Sequence, residues 1–230
     1  MQWTTCVTLL LMIAAASLYL SWDDVQFYKS IKEPSVSEQS EAPIDYNAPY
    51  QDALAVEGTN PIKIYDGKKE ALLIPRAVYE ISGLFIGKNT NFGMRKFNGI
   101  FDRISPLDIA IAWGDNANKQ FIEKNYIISM EKDFTDGGRF LYLDAKAGSN
   151  ASSYDLNYAN THVIPANSNI LNALMGTELY DEIDLTGLLV DVEINGKIKY
   201  ETSLSRYDEG DGACEILYVT AVRINNKIYK

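Results

Sequence analysis

The densest collection of reactive side chains lies near the end of the chain, in Ser203-Leu-Ser-Arg-Tyr-Asp-Glu-Gly-Asp-Gly-Ala-Cys-Glu215. Two serines, an arginine, four carboxylates and a cysteine share thirteen positions between two runs that read as strands, more chemistry than a hairpin connection requires. His162 is the single histidine, so any imidazole base must be His162. Cys214, alone in residues 23–230, could be a nucleophile served by that base, with Glu215 or Asp208 as the group that orients the ring. Each residue also has a plainer role. Carboxylates flank Cys214 and only Arg206 opposes them, which favours a buried, inert thiol. His162, just before Val163-Ile-Pro165, fits a hydrogen-bonded structural residue at a strand end.

Ser203 and Ser205 lie outside any Gly-x-Ser-x-Gly elbow, so a serine hydrolase has no local support. Asp208-Glu-Gly-Asp-Gly212, which contains Asp211, places glycines where a calcium loop of the EF-hand type needs oxygen ligands, and reads as a solvated turn. No cysteine–histidine pair has zinc spacing and no glycine-rich loop follows a strand, so neither metal nor cofactor is expected. Arg206 and Glu215 flank the connection of an expected hairpin, strands about 197–205 and 214–224. The alternation Glu215, Leu217, Val219, Ala221 puts the glutamate on an apolar face, where a carboxylate needs a partner such as Arg206. The candidate binding residues are thus His162, Ser203, Ser205, Arg206, Asp208, Asp211, Cys214 and Glu215.

The elements that would position them are mainly strands. Pro61–Tyr65, a turn at Asp66-Gly67 and Ala71–Pro75 predict a hairpin, and Ala77–Ile86 a long strand interrupted by Gly83. Ile183–Ile194, Asn195-Gly196 and Lys197–Tyr200 predict a second hairpin. Cys214–Ile224 reads as a central strand, apolar on both faces. Ser105-Pro-Leu-Asp108 has the marks of a helix start, with Ile109–Trp113 following and Gly114 as the stop. Another short helix is expected from about Ser168 to Met175. Ile81-Ser-Gly-Leu-Phe-Ile86 echoes Leu185-Thr-Gly-Leu-Leu-Val190, and glycines inside strands mark the bends of a closed sheet. The fold class expected is mainly β, a β-rich α+β domain forming a small, OB-like barrel with short helices.

Gln2–Trp22 contains no charged side chain and is long enough to cross a bilayer, so residues 1–22 are expected to be a transmembrane helix retained as a signal anchor. Ala14-Ala-Ala16 offers the alternative of a cleaved signal peptide. Asp23-Asp24 follow directly and the first basic residue is Lys29, which directs the C-terminal part to the exported side. Lys32–Pro43 is poor in apolar residues and carries two prolines, so 23–60 is expected as a flexible stalk and 61–230 as the globular domain. The net charge of −10 sits wholly in residues 23–230 and argues against nucleic acid as a partner.

The blocks Ser105–Gly114, His162-Val-Ile-Pro-Ala166, Leu185–Val190 and Ser203–Glu215, in that order, resemble an uncharacterised family of bacterial single-pass envelope proteins. The resemblance implies an envelope (periplasmic) location and a domain over roughly residues 77–224, with no activity attached. The family's histidine block tends to read His-x-His, whereas Asn160 stands at the first position here, which counts against a two-histidine metal site. The function expected is the binding of an envelope protein or small ligand by a domain tethered to the membrane through residues 4–22. The alternative is an envelope hydrolase using His162 with Cys214 or Ser205.

Overall fold

The structure, a computed structural model, describes residues 22, 24–91, 99–132, 139–149, 157–205 and 214–230. Its strands are β1 (Glu38–Gln39), β2 (Tyr50–Asp52), β3 (Ile62–Asp66), β4 (Lys69–Thr90), β5 (Leu107–Ala112), β6 (Tyr126–Lys132), β7 (Arg139–Ala145), β8 (Tyr158–Pro165), β9 (Glu182–Ile194), β10 (Lys197–Tyr200), β11 (Glu215–Ile224) and β12 (Lys227–Tyr229). Short helices include α1 (Phe101–Ile104), α2 (Lys119–Asn125) and α3 (Ser168–Gly176).

Strand order runs β11-β8-β5-β4-β9, and β9 pairs back onto β11, so five strands close into a ring. Within it β8 and β11 are parallel and the other pairings antiparallel. The interior is filled by Leu107, Ile109, Ile111, Val163, Leu185, Leu189, Leu217 and Val219, together with Ile170, Ala173 and Leu174 of α3. Burying such side chains fully is worth roughly 1.5–3 kcal/mol each, which is what holds the ring shut.

Closure explains the two strand glycines. A Cβ on Gly83 would lie 2.1 Å from the Ala112 carbonyl oxygen, and one on Gly187 2.1 Å from that of Tyr218. No other residue fits where strands approach this closely. The second hairpin folds as its sequence requires: Asn195 and Gly196 both adopt positive φ, 54° and 73°, and join β9 to β10. The side chain of Asn167 caps α3 by accepting from the Ile170 amide at 3.0 Å. At the other end Lys88 donates to the Met175 and Thr177 carbonyls, a cation placed where the helix dipole favours one.

Three expectations change. The stretch expected as a helix over 105–114 is β5, whose six residues are all buried between β4 and β8. A strand covered on both faces loses the polar alternation that distinguishes it from a helix. The expected hairpin of 197–205 with 214–224 is absent: β10 pairs with β9, while β11 lies between β8 and β9. Residues 23–60, expected as a stalk, include β1 paired with β12 and β2 paired with β4. Asn172 and Asn169 of α3 also accept from the amides of Lys32 and Ser35, and Ile44 and Val56 are buried. Nearly all of the expected membrane span, residues 1–21, lies outside the described residues, among which no helix is long and apolar enough to cross a bilayer.

Candidate active site

Strand register brings the chemistry together. Asp108 on β5 faces His162 on β8, and His162 lies beside Ile216 on β11. Leu107, Ile109, Val163 and Leu217 point into the barrel. By alternation Asp108, His162 and Ile216 therefore stand on its outer face, and Cys214, two residues before Ile216, joins them. This polar row separates two apolar clusters on that face. One contains Phe101, Ile104, Ile164 and Ile216, the other Ala110, Ala112, Ile122 and Leu141.

The Asp108 side chain is completely buried, and its carboxylate accepts a hydrogen bond from His162 Nδ1 at 2.7 Å. The histidine side chain is 20% exposed and packs edge-on against Phe101, with ring centroids 5.7 Å apart. Phe101 in turn stacks on Tyr200 at 4.0 Å. Burial pulls the His162 pKa down, but the Asp108 charge and hydrogen bond, with further contributions from the hydrogen bond and charge of Cys214, outweigh it and raise the value to about 10. His162 is consequently an imidazolium at neutral pH. Asp108 holds Nδ1, which leaves Nε2 as the ring's second hydrogen-bonding atom. Asn160, one turn of the pleat before His162, donates from Nδ2 to Cys214 Sγ at 3.7 Å.

The backbone around Cys214 is fixed by the segment after β10. Asp191, almost fully buried, takes a charged hydrogen bond from Arg76 and accepts the Thr202 amide at 3.0 Å. Thr202 Oγ1 accepts the Ile216 amide at 2.9 Å, and the Ser203 amide donates to the Cys214 carbonyl at 3.2 Å. Ser203 Oγ accepts the Ser205 amide at 3.0 Å in a tight local turn.

Of the sequence candidates, the structure unites His162 and Cys214. Ser203 is buried in the clamp and Ser205 belongs to its turn. Glu215 is buried and, pairing in register with Thr161, takes the barrel-side face with Leu217, away from the ring of His162. It is not the orienting carboxylate; Asp108 is. Arg206, Asp208 and Asp211 lie outside the described residues, and with Arg206 the expected pair to Glu215. Asp108, Asn160, Asp191 and Thr202 were missed from sequence; the available signal was a lone carboxylate inside the apolar run Leu107–Ala112.

Among the described residues, no group of three or more histidine, cysteine, aspartate or glutamate side chains could hold a metal ion. A groove between the β3–β4 and β9–β10 turns, edged by Lys68, Lys69, Glu70, Glu193 and Asn195, contains none of the residues of the polar row. Among the described residues, the Asp108–His162–Cys214 row, not that groove, brings together a thiol, an imidazole and a carboxylate. No family model, curated protein or solved structure matches the chain.

Proposed function

We propose that the protein is a thiol-dependent acyl hydrolase exposed on the outer side of a bacterial membrane, anchored through residues 4–22. Cys214 is the nucleophile, His162 the proton carrier and Asp108 the residue that orients and charges the imidazole. The observation that carries this reading is the buried 2.7 Å Asp108–His162 contact, on the same outer face of the barrel as Cys214. An imidazolium beside a half-buried thiol supplies the positive charge that a thiolate needs, and compensates the neighbouring carboxylates. The five-stranded ring with α3 packed into its core supports an OB-like barrel as the scaffold.

In the proposed reaction the thiolate attacks a carbonyl carbon, a C–S bond forms and the carbonyl electron pair moves to oxygen. Collapse of this intermediate expels the leaving group, which takes the imidazolium proton, and leaves a thioester. Water then attacks as neutral His162 accepts its proton. The C–S bond breaks, releasing the carboxylic acid and returning Cys214 and His162 to their starting forms.

p-Nitrophenyl acetate tests the reading. The full-length chain should give a burst of nitrophenolate and carry an acetyl group on the peptide containing Cys214. Cys214→Ser should abolish both. A folded wild-type chain that forms no acyl adduct would leave the binding of an envelope ligand, without chemistry, as the function of this face.

A further inference from the structure

Resting on the nucleophile reading, we propose that Asn160 is the oxyanion donor of this site: its carboxamide N–H stabilises the negative charge that passes from the Cys214 sulfur to the substrate's carbonyl oxygen. Among the described residues, the one side-chain hydrogen bond of Asn160 runs from Nδ2 to Cys214 Sγ, 3.7 Å away. Its Oδ1 is buried and has no partner among the described residues. On β5 it faces Ala110, whose methyl group offers the amide nothing. A half-buried carboxamide whose buried oxygen goes unbonded weakens the fold, and an apolar side chain of the same size would serve packing better. The amide does nothing for β8; what it addresses is sulfur.

The position suits the chemistry. When the C–S bond forms, the oxygen that receives the carbonyl electron pair is held two bonds from sulfur, inside the reach of a donor already aimed there. His162 stands two residues further along the same face of β8, so the proton carrier and the oxyanion donor are fixed by one rigid strand on the same side of the sheet. The 3.7 Å separation is an ordinary hydrogen-bond distance to sulfur, so the donor needs only to turn from Sγ toward the oxygen beside it as the C–S bond forms.

Two reagents separate this role from a structural one. Iodoacetamide reacts with Cys214 by displacement at a saturated carbon and creates no oxyanion, whereas p-nitrophenyl acetate must pass through one. In Asn160→Leu and Asn160→Ala, acylation of Cys214 should fall about 100- to 1,000-fold. Alkylation should stay within about threefold of wild type, and the melting temperature of Asn160→Leu should equal or exceed the wild-type value. Acylation that is unchanged, or that falls only in step with alkylation, overturns the assignment while leaving Cys214 as nucleophile. A wild-type chain alkylated readily at Cys214 but never acylated overturns the hydrolase reading, and this inference with it.

Discussion

Asp108 and His162 form the interaction on which the site depends, and its pH behaviour follows from the direction of the shift. The folded-state pKa of His162, about 10, lies above the ordinary 6.5, so the native chain keeps a proton that the unfolded chain releases. The stability gained is complete below about 6.5, declines as pH rises, and is gone once pH passes about 10. His162→Gln should therefore flatten the dependence of unfolding free energy on pH across that window. The chain has one histidine, so its imidazole resonances can be followed without ambiguity. They should keep the chemical shift of an imidazolium beyond pH 8 in wild type. In Asp108→Asn, where burial acts unopposed by that charge, they should titrate far lower, and the acylation rate should drop by about 100-fold or more. Wild-type resonances that titrate near 6.5 would mean that Asp108 does not govern the ring.

Elements decide why part of the site could be read from sequence and part could not. Asn195-Gly196, the Ser168 helix and the long apolar run ending at Ile224 each carry a local signal and fold as that signal requires. β5 carries a misleading one: Ser105-Pro106 before an apolar stretch satisfies helix-start rules, yet its position between β4 and β8 overrides them. Asp108 was lost with that assignment. Its meeting with His162, 54 residues away, is set by β5–β8 register, which no local pattern encodes. The clamp around Cys214 was partly legible, since the serines were marked as unusual, but their work is to hold backbone and not to attack a substrate. Thr202 is its most testable member. Thr202→Val removes the acceptor for the buried Ile216 amide and should cost about 1–3 kcal/mol in denaturant unfolding, with slower alkylation of Cys214, whereas Thr202→Ser keeps the hydroxyl and should recover most of both. Equal stability of the valine and serine variants would remove the hydroxyl from the clamp.

At the scale of the whole molecule, Asp108, His162 and Cys214 come from three separated parts of the chain and meet because β5, β8 and β11 are neighbours in the strand ring. The ring is secured from outside by residues well before Pro61: β1 lies on β12, β2 on β4, and the 32–35 backbone is tied to α3. Composition gave no hint of this, because the contacts are backbone hydrogen bonds that a polar, proline-containing segment makes as well as an apolar one. The acidic balance of the chain, −10, limits partners but does not locate the site. A reactive thiol in such a molecule is a property of the folded state. The most direct measurement is the rate at which iodoacetamide alkylates Cys214 at pH 6, by peptide mapping of the full-length chain, in native solution and again in urea. The Asp108–His162–Cys214 row predicts that the native chain reacts at least about tenfold faster than the unfolded one, and that His162→Gln abolishes the difference. Native Cys214 that is protected, and becomes reactive only on unfolding, would contradict a nucleophile at this site and return it to the role of an inert core thiol.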